Sequence, residues 1–258
     1  MNKLHVVIPI GISTPGTPVP EFLINSIESL QTQTFKDILV TIAADENIPD
    51  HIKQLLVEYN VNVEWFSPHS FFTKEGMWGK IFRCWEKYDS EYVAFLHYDD
   101  VWEASKAQNQ IDFIEQNNLE GSWSSVYIIN NNNDIISDEA MRWTHFIKEH
   151  IGHFHPWLPH GVIVKKDSIL NSGILEYRDK WTAIFENVFC TFLQKIYHIK
   201  KCDTAILFWR DHSDQMTYTL GYTNESERKI TKYSQQELDE DTKYVMEHID
   251  WEAIKNLY

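Results

Sequence analysis

The sequence predicts an α/β protein with a mostly parallel sheet covered by helices on both faces. Three observations carry that prediction. Short apolar runs rich in β-branched residues alternate with segments of helical spacing through the first half of the chain. The connections between them are short, as right-handed strand–helix–strand units require. One buried-type run, Tyr92 to Leu96, leads directly towards two adjacent carboxylates, Asp99 and Asp100. In open sheets of this kind ligands sit beyond the carboxyl ends of the strands.

In order, Leu4 to Ile10 reads as a first strand, closed by a loop containing Gly11, Pro15, Gly16, Pro18 and Pro20. Glu21 to Thr32 has helical spacing through Phe22, Ile27 and Leu30. Ile38 to Ala43 is a strand, Pro49 to Tyr59 a helix and Val61 to Phe66 a strand. Trp78 to Tyr88 is a helix, Tyr92 to Leu96 a strand and Ser105 to Asn117 a helix. The order then loosens: a strand over Trp123 to Ile129, the polar turn Asn130 to Asn133, and a helix over Glu139 to His150. A strand over Gly161 to Lys165, a helix over Ala183 to Tyr197 and a short strand over Ala205 to Trp209 follow. Glu237 to Leu257 reads as one or two terminal helices.

Composition narrows the function. With 258 residues and 43% hydrophobic residues the chain builds a substantial core. The net charge of -15 is the wrong sign for a nucleic-acid binder, which needs a basic footprint. An acidic protein that binds an anion such as a nucleotide diphosphate needs a bridging cation or local donors. Cys84, Cys190 and Cys202 form no paired framework and read as reduced, buried thiols. The amino-terminal apolar run reads as a strand and not a signal peptide, and no run is long enough to span a bilayer.

Two charges at the end of a buried strand must be wet, paired or metal-bound. Mg²⁺ and Mn²⁺ favour oxygen ligands and keep positions for water and substrate phosphate. Asp99 and Asp100 therefore read either as a metal site or as a helix cap beside a solvated acid.

The context is specific. His97-Tyr98-Asp99-Asp100-Val101-Trp102, followed by Lys106 and Gln110, resembles the strand-end Asp-x-Asp-Asp and Trp pattern of family 2 glycosyltransferases. Phe82-Arg83 and Trp85-Glu86 match the helix before that strand. His5 to Ile10 resembles the family's first strand, and Ser29-Leu30-Gln31-Thr32-Gln33-Thr34-Phe35 the end of its first helix. The resemblance implies a GT-A fold, a Rossmann-like sheet flanked by helices, over residues 1–220. Its nucleotide-binding half would be about 1–120 and its acceptor-binding half about 121–220, with a helical extension over 221–258.

The resemblance also implies roles. Pro9 and Asp45 occupy the strand ends that hold the nucleobase, although Asp45 also suits a turn. Lys80 stands where a cation would neutralise diphosphate charge, or is a surface lysine. His97 replaces the first Asp of the motif and would ligate metal or bind ribose. Asp99 would hold both the metal and the donor, with Asp100 and His212 completing the ligand set for Mn²⁺ or Mg²⁺. His212 belongs to an Arg210-Asp211-His212 element similar to the family's Arg-x-His, and also reads as a structural loop histidine. The acidic pair before the later helix is Glu186-Asn187 here. An amide cannot accept the proton of an acceptor hydroxyl. Glu186 is the expected catalytic base, Asp179 the alternative, and an impaired enzyme the third outcome.

His145, His150, His153, His155 and His160 cluster with Trp143, Phe146, Phe154 and Trp157. They read as an acceptor-binding segment, with Trp157 and His160 as its contacts, or as packing, or as a zinc centre. The function implied is inverting, metal-dependent transfer of a sugar from a nucleotide diphosphate sugar to a glycan acceptor, in bacterial surface polysaccharide synthesis. Two rivals stay open: a non-catalytic sugar-nucleotide-binding scaffold, for which Asn187 speaks, and a zinc-dependent hydrolase. The expected location is cytoplasmic, with peripheral association at the inner membrane face and a glycan or lipid-linked glycan as acceptor.

Overall fold

The computed structural model describes residues 2–11, 19–68, 77–137, 159–172, 193 and 198–212. The predicted helix over Glu139 to His150, most of that over Ala183 to Tyr197, and the 221–258 extension lie outside these residues. The described strands are β1 (Asn2–Ile10), β2 (Ile38–Asp45), β3 (Asn62–Phe66), β4 (Ser90–Phe95), β5 (Val101–Trp102), β6 (Gly121–Ile129), β7 (Ile135–Ser137), β8 (Val162–Lys165) and β9 (Ile199–Arg210). The helices are α1 (Pro20–Gln31), α2 (Asp50–Glu58), α3 (Met77–Lys87), α4 (Lys106–Gln116) and α5 (Lys166–Leu170), and a 3₁₀ turn spans Pro159–Gly161.

The strands form one sheet in the order β3-β2-β1-β4-β8-β6-β9-β5, with β7 paired to β6. β1 pairs in parallel with both β2 and β4, and β2 with β3. Beyond β4 the sheet turns mixed: β8 is antiparallel to β4 and β6, and β9 is parallel to β6. Leu4 to Ile10 are buried throughout because β1 is central and covered on both faces.

The helices follow from local chemistry. Pro20 opens α1, where its missing N–H is not needed, and Glu21 suits the positive end of the helix dipole. The α1 core face is Phe22, Leu23, Ile27 and Leu30. α3 buries Trp78, Phe82 and Trp85: Trp78 meets Phe82 at a tilt, while Phe82 meets Trp85 and Trp78 meets Phe95 of β4 edge-on. Trp85 Nε1 donates to the Ala94 carbonyl at 3.2 Å and so ties α3 to β4. α2 and α4 both end on asparagines with positive φ, Asn60 and Asn118, the residue type besides glycine that best tolerates a left-handed cap.

Among the described residues, no helix is long and apolar enough to cross a membrane.

Candidate active site

β2 and β3 lie on one side of β1 and β4 on the other, so the connections leaving β1 and β4 run in opposite directions along the sheet and leave a crevice at their carboxyl ends. Pro9 shows how the crevice begins. The Val7 carbonyl accepts the Leu96 N–H at 3.0 Å, so β1 bonds to β4 through Val7. Two residues later Pro9 turns its donorless nitrogen to that same side. There β4 has already left the ladder, so no sheet bond is lost.

Asp45 ends β2 and Lys80 comes from α3, and they form an ion pair buried to within a few percent. Burial pulls Lys80 below the ordinary lysine pKa, and Asp45 opposes that shift. Lys80 Nζ also lies 3.5 Å from the Ile10 carbonyl. Gly11 makes room for this pair: a Cβ there would collide with the Asp45 carboxylate and stand 2.9 Å from Lys80 Nζ. Pro9, Asp45 and Lys80 are thus gathered at the β1–β2 edge of the crevice, as the sequence suggested. Lys80 is not a surface lysine.

The Asp99–Asp100 turn forms the other edge, and its two carboxylates face different ways. Asp99 Oδ2 lies 3.0 Å from His212 Nε2, and Asp99 keeps 15% of its side-chain surface while His212 keeps 2%. Asp100 turns inward and keeps 2%. Its Oδ1 accepts the Arg210 backbone N–H at 2.9 Å, and its Oδ2 lies 3.1 Å from His160 Nε2, out of line for a hydrogen bond. Burial raises the Asp100 pKa well above the carboxylate range, helped by Asp99, and burial pushes His160 well below the histidine range. Both shifts favour the uncharged forms of the pair, which lessens the cost of burying two charges.

His160 was expected on the acceptor side. The Pro159–Gly161 turn instead delivers it beneath the motif, 4.6 Å ring to ring from His97, because β8 follows at once and pairs with β4. His97 also packs edge-on against Phe95 at 5.5 Å and is half-buried at the crevice.

The motif turn is held by residues whose role the sequence reading missed. From α1, Ser26 Oγ reaches the Asp100 carbonyl and lies 2.8 Å from that of Tyr98. Ser29 Oγ accepts the Trp102 N–H at 3.2 Å. Gln33 Oε1 accepts the Ala107 N–H at 3.0 Å, one of the unpaired donors at the start of α4, while its Nε2 donates to the Glu103 carbonyl at 2.7 Å. Ser26 and Ser29 one turn apart on α1, with Gln33 just past its end, were the signal available in the sequence.

Lys106 and Gln110 are also internal. Lys106 Nζ stands 3.7 Å above the Trp102 ring and donates to Gln110 Oε1. Burial pulls the Lys106 pKa well below the ordinary value. Gln110 Nε2 is shared between the Ser122 carbonyl at 2.9 Å and the Gly161 carbonyl at 3.2 Å, which fixes the turn that carries His160.

With this geometry in place, comparison with known proteins is informative. Residues 12–165, more than half of the chain, match the family model described as glycosyl transferase family 2. The chain belongs to glycosyl transferase family 2. The family and the GT-A-type α/β fold expected from the sequence both hold. No curated protein matches the chain. Among solved structures it is similar to S. aureus TarS, at TM-score 0.57 and 14% identity over 81% of this chain and 37% of that one. It is similar to TarS 1–349 in complex with UDP-GlcNAc at TM-score 0.55 and 15% identity, over 83% of this chain and 60% of that one. The complex of TarS 1–349 with UDP gives TM-score 0.51 and 14% identity over 81% and 60%. At these identities the likeness is one of fold, and this chain spans well under half of the full TarS chain.

Among the described residues, no group of three or more His, Cys, Asp or Glu is arranged to hold a metal by itself. The pair Asp99 and His212 nevertheless suits a divalent ion that takes the rest of its shell from water and phosphate. His212 is fixed by the Phe22 ring at 5.1 Å, and its Nε2 faces the one carboxylate of the turn that reaches the crevice. Glu186, Asp179, Asn187 and Trp157 lie outside the described residues, as do the other members of the histidine cluster.

Proposed function

We propose that this protein transfers a sugar from a nucleotide diphosphate sugar to a glycan acceptor hydroxyl, with inversion and with a divalent cation. The observation that carries the reading is the Asp99–His212 pair at the carboxyl end of β4, beside the topological switch point.

Asp45, Lys80 and Pro9 form the base end of the donor site, where Asp45 is an acceptor for a nucleobase N–H and Lys80 a point cation. Asp99 and His212 would hold Mn²⁺ or Mg²⁺, and the imidazole favours Mn²⁺. The cation would supply Lewis-acid stabilisation of the departing nucleotide diphosphate. His97 borders the same crevice and suits a contact to ribose. Asp100 supports the turn from inside rather than reaching the donor. Glu186 would take the proton of the acceptor hydroxyl as it attacks the anomeric carbon from the face opposite the nucleotide, and Trp157 would stack on the acceptor. The expected setting is bacterial surface polysaccharide synthesis on the cytoplasmic face of the inner membrane.

UDP is the nucleotide to test first, because the TarS structures hold UDP-GlcNAc and UDP. Saturating UDP with Mn²⁺ should raise the melting temperature by about 5–10 °C, the shift expected at a ligand concentration near 100 Kd. A panel of nucleotide diphosphates that gives no rise with either metal overturns the reading. Nucleotide release from a matching donor completes the test.

A further inference from the structure

Arg210 is fully buried, yet the proposed reaction has no direct use for it. It ends β9, two residues before His212. Its backbone N–H donates to Asp100 Oδ1 at 2.9 Å. Its side chain makes three further bonds: Nε donates to the Asp99 carbonyl at 2.8 Å, Nη1 to the Asn130 carbonyl at 2.7 Å, and Nη2 to Asn133 Oδ1 at 2.6 Å. The guanidinium carbon also sits 4.4 Å from the centre of the Phe22 ring, and Phe22 packs on His212.

We propose that Arg210 is a positioning residue for the cation site and that the Asn130–Asn133 turn is part of its support. The inference rests on the reading of Asp99 and His212 given above. Arg210 acts on both members of that pair. It holds Asp99 through its main chain, which sets where the carboxylate points, and it backs His212 through Phe22. Every guanidinium nitrogen donates into the protein, so Arg210 acts through these residues and not on the diphosphate. A planar fork is needed for this, because a lysine supplies a point charge and cannot span three acceptors. The asparagine tract gains a purpose as well. Asn133 takes φ 66°, which its residue type tolerates, and that backbone aims its amide at Arg210. Orienting residues of this kind commonly change metal affinity by about 10–100-fold when removed.

The test is a Mn²⁺ titration at fixed UDP, read as melting temperature and as tryptophan fluorescence, on wild type, R210M, R210K and N133G. Methionine keeps the packing on Phe22, and glycine keeps the positive φ while removing the amide. The Mn²⁺ midpoint should rise at least about tenfold in R210M, with smaller rises in R210K and N133G. Uridine binding without metal should match wild type in all of them, because the Asp45–Lys80 end is untouched. Should R210M fail to fold, N133G decides alone. Folded variants with a wild-type Mn²⁺ midpoint overturn the proposal. So does an equal loss of metal-free uridine binding, which would mark a general structural defect. A wild type with no Mn²⁺-dependent UDP binding is a separate result: it removes the functional reading itself.

Discussion

The two sides of the Asp99–Asp100 turn use the same ingredients, a carboxylate beside a histidine, and reach opposite ends. On the outer side Asp99 meets His212 with surface left at the crevice. On the inner side Asp100 meets His160 with almost none, and burial drives both towards their neutral forms. Neighbouring places in a motif therefore need not mean neighbouring roles. One carboxylate keeps surface at the crevice, open to a ligand. The other joins Arg210, Lys106 and Gln110 in a polar interior that fixes the turn.

The largest expected effect lies at the far edge of the crevice, where a buried charge pair survives intact. Lys80→Ala would leave Asp45 buried and unpaired, and should destabilise the protein by about 3–5 kcal/mol in chemical denaturation. A loss near zero would mean that Asp45 escapes to water, and the contrast between paired and neutralised carboxylates would fail.

His5 offers a histidine far from the site for comparison with His160. It bonds Thr41 Oγ1 at 3.0 Å, packs 5.2 Å from the Tyr88 ring, and senses the charges of Lys166 and Glu64. Burial, seconded by Lys166, pushes its pKa down to about 4. The folded pKa lies below the unfolded one, so between the two the unfolded chain binds more protons. This contribution is full above about 6.5 and is lost as pH falls towards 4, at about 3 kcal/mol in all. H5Q should flatten that part of the stability profile. An unchanged acid limb would refute the burial argument.

Asp100 should show the opposite slope. Its folded pKa is raised, so its contribution is present below the unfolded carboxylate pKa, about 4, and is lost as pH rises through the folded value. D100N copies the neutral form and keeps an acceptor for the Arg210 N–H, so its stability relative to wild type should improve as pH rises. D100L removes the acceptor as well and should be about 1–3 kcal/mol less stable than D100N at any pH. Matching pH profiles for D100N and wild type would place a charged Asp100 in the folded protein.

The sequence and the structure agree best where periodicity is strong. β1 to α4 lie within a few residues of their predicted bounds because each is a full apolar strand or an amphipathic helix. The apolar pattern marks only Ala205 to Trp209 of β9, whereas the strand runs from Ile199 to Arg210. Lys200, Lys201, Asp203 and Thr204 are exposed, so half of the strand carries no apolar signal. β5 is two residues long and exists only through its pairing with Phe208 and Leu207. In the site, the placement of Pro9, Asp45 and Asp99 at or just beyond strand ends was legible from the apolar runs that precede them. The inward turn of Asp100, the burial of His160 and the scaffold roles of Ser26, Ser29, Gln33 and Arg210 were not. Each depends on contacts between segments far apart in the chain, which local spacing does not encode.

The most direct measurement is calorimetric UDP binding to D99N and D100N side by side, with and without Mn²⁺. The account predicts that D99N loses the Mn²⁺-dependent part by about 100-fold or more, while D100N stays close to wild type. Equal losses in the two variants, or a wild-type response in D99N, would contradict it.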